Sequence, residues 1–288
     1  MVEKLRTLVP AMYATGRICI TASSGEHAVR HAEYFGLPPS AVQAWLPAAE
    51  FNPSHDHVSV GAVRTVAVIV RMGPEKLVFI AAAIDLVLAG RRAGGSPILH
   101  VHGGGPAEQK ARQMLQARLG ANGFVMHGPT TDPMQAITGI DVVVNAGRGA
   151  VEGLMAGRRV ACVNLSLPDH ALGEAVSSEN FARLKHGNFV GAGPALDAQI
   201  VWESLSAMTE RQVRQVRDSA RSQLSQKALR DTHLKLIGSL SAPQDLSNPF
   251  IDATIWQNIK TEEAFWKAKN FADKLWREKH PSPKAAGA

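Results

Sequence analysis

Between Val63 and Asn164, short β-branched apolar runs alternate with helical stretches, and this alternation constrains the fold more than any other feature of the chain. Val63–Val70 is apolar at nearly every position, as expected of a strand buried on both faces. A helix over Glu75–Arg92 follows, then a strand at Pro97–Val101 and a helix over Pro106–Leu119 with proline in its first turn. Strands at Phe124–His127, Ile140–Asn145 and Arg159–Asn164 are separated by helices at Pro133–Thr138 and Arg148–Ala156. Such alternation implies right-handed βαβ units and a doubly wound, parallel α/β sheet of Rossmann-like type. Ligands of these sheets sit at the carboxyl ends of the strands.

The flanks read differently. Arg17–Ala22 and Val42–Leu46 are short strands around a helix that Ser23 or Ser24 caps and that runs to about Tyr34. After Asn164 the pattern turns helical, with helices expected at 178–186, 195–207, 209–225 and 227–238. A Ser/Pro/Asn linker at 239–249 precedes an amphipathic helix over 251–279, in which Phe265, Trp266, Phe271 and Trp276 supply apolar bulk. Three regions result: 1–60, the end of a preceding domain and a linker; 61–240, the α/β domain; and 241–288, a linker, C-terminal helix and disordered tail.

Composition limits the function classes. With 45% hydrophobic and 19% charged residues the chain is ordinary globular material. The most apolar run, Leu77–Gly90, is too short to span a bilayer and contains Asp85. The N-terminus lacks a long apolar stretch of the kind export signals carry, and there are only two cysteines, so a cytoplasmic location is the default. The net charge of +6 is concentrated at 211–235, where seven basic residues face two acidic ones. Arg211, Arg214, Arg217 and Arg221 fall mostly on one helix face. That is either a solvated face or a contact for anionic lipid headgroups, the latter making the protein peripheral at a membrane. No interleaved aromatics or nucleic-acid-binding module accompany it.

Three places could hold chemistry. Arg71 and Lys76 stand where a strand ends and a helix begins, and two cations there make a diphosphate site; the competing reading is a pair of surface cations. Gly103-Gly104-Gly105-Pro106 lies between a strand and a helix and lets backbone approach a ligand, or is simply a tight turn. In AGRGAVEGLMAG (146–157), Gly147, Gly149 and Ala150 can present amides at a positive helix end. Glu152, read as lying in the first turn of that helix, can accept from two sugar hydroxyls or merely complement the helix dipole. The pairs His55/His57 and His100/His102 share strand faces, but no third ligand is visible, so no metal is expected.

These candidates occur in an order that resembles the C-terminal, nucleotide-sugar-binding domain of the GT-B glycosyltransferases of family 4. The resemblance rests on Arg71…Lys76, Gly103–Pro106, VMHG at 125–128, DVVV at 141–144 and EGLMAGRRV at 152–160, and spans about residues 17–170. It implies a glycosyltransferase of hexosyltransferase type, or its donor-binding subunit, taking a nucleotide-diphosphate sugar without a metal or other cofactor. It further implies that Arg71 and Lys76 bind the donor diphosphate and act as the catalytic cations, with Gly104 and Gly105 nearby. Gly149 and Ala150 assist through backbone amides, Glu152 holds the ribose, and His127 flanks the base. The chain departs from the family at Val144, where many members carry a second glutamate, and at Val70 and Leu77, where they carry glycines. A complete acceptor domain does not fit before residue 60, so the resemblance implies a separately encoded acceptor-domain partner or a homo-oligomer. Two alternatives stay open: a non-catalytic binding or scaffold protein that retains the donor fold, and a sugar-nucleotide epimerase, which would want a complete first domain and acid/base carboxylates of its own.

Overall fold

The computed structural model describes residues 9–14, 20–22, 24–44, 49, 57–165, 167 and 172–238. Contacts divide the chain into Met1–Leu240 and Ser241–Ala288. The second unit, including the helix expected at 251–279, lies outside the described residues, as do Cys19 and His55.

A small βαβ unit comes first. Strands β1 (Ile20–Ala22) and β2 (Val42–Ala44) pair in parallel around helix α1 (Gly25–Phe35). Ser24 caps α1 by accepting from the His27 amide, and Gly36, at φ 65°, closes it in the left-handed conformation that glycine adopts without strain. Ala22, Ala28, Ala32 and Val42 form its core.

The main sheet has six strands: β3 (Thr65–Ile69), β4 (Ile98–His102), β5 (Phe124–Gly128), β6 (Val142–Asn145), β7 (Arg159–Val163) and β8 (Leu172–Ala175). Their order is β5-β4-β3-β6-β7-β8. The first five run parallel, and β8 pairs antiparallel to β7 at the edge. The crossover therefore reverses direction between β3 and β6, and the switch point lies there. Helices α2 (Leu77–Arg92), α3 (Glu108–Leu119), α4 (Pro133–Ala136) and α5 (Gly147–Met155) connect these strands. Past β8 come α6 (Phe181–His186), α7 (Ala198–Ser206), α8 (Glu210–Leu224) and α9 (Gln226–Gly238).

Along β3, β6 and β7 both faces are buried, and the two-residue strand period sorts side chains between them. Val66, Val68, Val142, Val144, Ala161 and Val163 pack toward α2, α3 and α7. Ala67, Val143, Val160 and Cys162 pack toward α5, α6 and α8. This accounts for the continuous apolar runs in the sequence: neither face has water to reward a polar alternation.

Strand β8 departs from expectation, since the chain after Asn164 does not simply turn helical. Its sequence, LGEA, has no β-branched residue, and it forms because β7 offers a free edge. On α8 the basic stripe contacts the protein's own groups at three positions. Arg214 pairs with Glu210, Arg217 is buried against Asp218, and Arg221 donates Nε to the Met155 carbonyl at 2.9 Å. Three of the four arginines are thus held by the protein's own groups. No helix among the described residues is long and apolar enough to cross a membrane.

Candidate functional site

The carboxyl ends of four adjacent strands are stitched together by a short series of hydrogen bonds. From β6, Asn145 Nδ2 donates to the Ile69 carbonyl of β3 at 2.8 Å. The Val70 amide donates to His102 O (2.9 Å), and the Met72 amide to Gly104 O (3.1 Å), joining β3 to β4. The Gly103 amide then donates to Gly128 O at 2.7 Å, joining β4 to β5. Arg71 sits on the seam between Val70 and Met72 and is exposed.

The Gly103–Gly105 turn owes its glycines to this seam. Gly103 has φ 141°, and a Cβ there would lie 1.8 Å from Val70 O; at Gly105, φ 152°, it would lie 2.6 Å from Met72 O. No side chain fits between the two loops, so the first job of the turn is to let β4's end lie on β3's loop. The carbonyls of Gly104 and Gly105 are taken by Met72 N and Glu108 N. Their amides donate to no described residue, which leaves them on the same edge as Arg71. Lys76 ends a short 3₁₀ turn, Pro74–Lys76, that leads into α2, and its Nζ lies 5.4 Å from the centre of the Phe79 ring. A cation placed so over an aromatic face keeps its stem against the protein and its head at the edge.

On the other side of the switch point, α5 begins without a side-chain cap. Its first residue, Gly147, has φ 56° and donates its amide to Asn188 O at 2.9 Å. Gly149 is packed against Asn145, whose Nδ2 a Cβ would meet at 2.2 Å. The helix starts at Gly147, one residue before the sequence suggests, and this corrects two readings. The first-turn amides are those of Gly147, Arg148 and Gly149, of which Gly147's is taken by Asn188 O, while Ala150 comes after them and is fully buried. Glu152 is the sixth residue of the helix, in its second turn, so it does not serve as a first-turn dipole complement.

Glu152 is 4% exposed, and its Oε1 accepts from Arg148 Nε at 2.8 Å. Burial raises its pKa, the Arg148 hydrogen bond and charge oppose this, and the nearby Asp132 carboxylate adds to the rise. A buried carboxylate with one cationic partner, one turn below an uncapped helix end, is a strong acceptor for hydroxyl donors.

The sequence supplied no reason to single out Asn188. With Phe189 it forms two consecutive non-glycine residues of positive φ, 57° and 54°. Such strain persists only where surrounding packing over-determines it, and here Phe189 is buried against Phe181. Asn188 Oδ1 is buried and has no hydrogen-bond partner among the described residues. Asn145 was also missed, although a polar residue ending an otherwise apolar strand, VVVN, is a signal that could have found it.

His127 lies at the far end of the seam, on β5, at a register shift between the pairings of Val101 and His102. Its ring stacks on His102 (centroids 4.3 Å, planes at 5°) and on His100 (5.2 Å, 10°), with His100 Nδ1 2.9 Å from His127 Nε2. The three imidazoles form a ladder. Desolvation, and then the charge of His127, lowers the pKa of His100, and the same causes lower that of His102 to about 4. Among the described residues no group of three His, Cys, Asp or Glu is arranged to hold a metal.

No family model matches the chain, and no curated protein does. Solved structures do share its fold. A point mutant of TarM of S. aureus, in complex with fondaparinux, alpha-GlcNAc-glycerol and UDP, superposes with TM-score 0.54 at 14% identity, over 78% of this chain and 45% of its own. HepE of Anabaena, in complex with UDP and glucose, gives 0.53 at 15% identity, over 82% and 68%. A GtfA/B complex gives 0.53 at 11%, over 80% and 47%. The chain thus spans less than half of TarM and about two thirds of HepE. The fold is that of these glycosyltransferase-like structures, a six-stranded sheet flanked by helices.

Proposed function

We propose that residues 61–240 are the donor domain of a glycosyltransferase and bind a nucleotide-diphosphate sugar across the β3/β6 switch point. One observation carries the reading: the seam sets Arg71 and Lys76 on one side of that point, with the uncapped N-terminus of α5 and the buried Glu152 on the other. A diphosphate suits the first group and the helix end, since fixed cations and unpaired amides favour anions. The vicinal hydroxyls of a ribose suit the carboxylate. Gly104 and Gly105 bring further amides, and His127 presents an exposed ring at the β5 end for a base. UDP in the TarM and HepE structures supports the ligand class.

Transfer breaks the bond between sugar and diphosphate, and negative charge grows on the leaving phosphate. Arg71, Lys76 and the α5 amides are preorganised to stabilise that charge, the role such cations play without a metal. The acceptor must be held against the donor carbon in near-attack geometry. That surface belongs to an acceptor-side domain, which a partner polypeptide or a second copy of this chain can supply. The GtfA/B complex, two components by its name, supports a partnered arrangement.

A melting series tests the donor site. UDP and other nucleoside diphosphates, each at about 100 times its dissociation constant, should stabilise the protein by about 2.7 kcal/mol. Folded protein that melts unchanged with every member of the panel removes the reading. Lys76→Ala should weaken any diphosphate, pyrophosphate included, whereas Glu152→Ala should weaken only ribose-bearing ligands.

A further inference from the structure

Arg148 has a place in the site that neither the sequence pattern nor the donor reading assigns. It is the second residue of α5, in the turn where the helix dipole presents positive charge. A cation there is of the wrong sign for helix stability, and no acidic residue occupies that turn to offset it. Its side chain is 69% exposed, while that of its partner Glu152 is 5% exposed. The contact between them uses Nε alone, at 2.8 Å. Nη1 and Nη2 have no partner among the described residues. An arginine held by its Nε keeps its plane fixed and its outer nitrogens free, and that rigid pair of donors matches two oxygens of a phosphate.

The surroundings set what the pair meets. Asn145 is committed to Ile69 O and the Ala146 amide, and Asp132 to capping α4 through the Gln135 amide. Neither the Asn145 amide nor the Asp132 carboxylate hydrogen-bonds the Arg148 outer nitrogens. The first-turn amides of α5 lie beside them, so an anion accepted by those amides sits next to the guanidinium.

We propose that Arg148 is a donor-binding residue that bridges the two chemistries of the site, holding Glu152 through Nε and the donor's phosphate through its outer nitrogens. This rests on the donor-site reading above. Recognition of charge and recognition of the ribose diol are then coupled through one side chain. A phosphate that draws the guanidinium toward it also fixes the carboxylate for the hydroxyls, and the diol in turn steadies the arginine.

Calorimetric titration of UDP, uridine and pyrophosphate into the wild type, Arg148→Gln, Arg148→Lys, Glu152→Gln and the double variant Arg148→Gln/Glu152→Gln tests this. Arg148→Gln should weaken UDP and pyrophosphate by about tenfold or more, the loss expected of a charged hydrogen bond, and uridine much less. Arg148→Lys should recover pyrophosphate but not the full UDP affinity. Glu152→Gln should weaken UDP and uridine and leave pyrophosphate alone. The double variant should bind UDP better than the product of the two single losses predicts, and strictly multiplicative losses overturn the coupling. UDP binding to Arg148→Gln within about twofold of wild type, far below the loss a charged hydrogen bond carries, reduces Arg148 to a counter-ion for Glu152 and leaves the donor site standing. Failure of all three ligands with folded wild type removes the donor site and this inference together. If Arg148→Gln alone does not fold, the double variant, which strands no buried charge, compared with Glu152→Gln on pyrophosphate reads the same arginine.

Discussion

Asn145 Nδ2 lies 2.8 Å from the carbonyl oxygen of Ile69, and that hydrogen bond closes the sheet's switch point. The Asn145 side-chain oxygen accepts from the Ala146 amide at 2.9 Å, so one amide group fixes both the end of β3 and the entry to α5. Asn145→Asp replaces a donor with a carboxylate facing a carbonyl. With Asn145 4% exposed, that leaves a buried acceptor unpaired and should cost about 1–3 kcal/mol. Because both halves of the crevice hang on this residue, nucleotide affinity should fall along with stability. Urea unfolding and UDP titration on one preparation read both, and an unchanged midpoint would show that the bond does not organise the crevice.

The glycine turn gives a sharper contrast. At Gly103 an added Cβ would overlap Val70 O, whereas Gly94, at φ 83°, has nothing within 4 Å. Gly94→Ala bears only backbone strain, about 1 kcal/mol. Gly103→Ala bears strain and a clash with backbone that cannot rotate away, and should cost more than about 3 kcal/mol or prevent folding. Equal losses in the two variants, measured by chemical denaturation, would mean that the β3 and β4 loops are not locked together.

These two positions also mark how far the sequence could be read. The strands were legible wherever both faces are buried, because Val66–Val68 and Val142–Val144 have no choice but to be apolar. The boundaries moved by one to three residues where a loop's hydrogen bonds extend or shorten an element, as at Gly147. Strand β8 was illegible because its four residues carry no strand preference of their own and depend on β7. The glycine loops were visible, but their purpose was not: whether a glycine faces a ligand or another loop depends on which strands are neighbours. The places of Asn188 and Arg148 beside the crevice were invisible for the same reason. His100 and His102 were seen as a pair, and the third imidazole came from a strand whose adjacency only the topology reveals.

Glu152 should set stability against function. Its pKa is raised chiefly by desolvation, so the folded state disfavours the charged form. The sign follows from proton binding: above the unfolded carboxylate's pKa the unfolded chain releases its proton more readily, and stability declines as pH rises toward neutrality. Glu152→Gln removes that penalty and leaves its partner Arg148, 69% exposed, in water rather than stranded, so it should be neutral or stabilising by about 1 kcal/mol at pH 7. The same variant should lose affinity for uridine. Thermal unfolding at about pH 5 and pH 7.5, on either side of that decline, checks the first claim. A variant that is less stable than wild type at neutral pH and no different in slope would contradict it.

The imidazole ladder predicts an acid-sensitive edge beside β5. His102 is 7% exposed, its Nε2 has no hydrogen-bond partner among the described residues, and its pKa is lowered from 6.5 to about 4, by desolvation first and then by His127 and His100. In the unfolded chain the same histidine takes its proton near about pH 6.5. Between that value and about 4 the unfolded state therefore binds a proton that the folded state refuses, and stability falls as pH falls through this window. At pH 5 the deficit from His102 alone is about 2 kcal/mol, at about 1.36 kcal/mol per unit. His100, also lowered, adds loss of the same sign. His102→Leu keeps the apolar bulk and removes the titrating ring, so its stability should fall less than the wild type's between about pH 7.5 and pH 5. The control is His57→Leu, outside the ladder, which should leave the wild-type slope intact. Denaturant midpoints at the two pH values measure the difference, and parallel slopes for wild type and His102→Leu would show that the ladder is not held neutral by its stacking and burial.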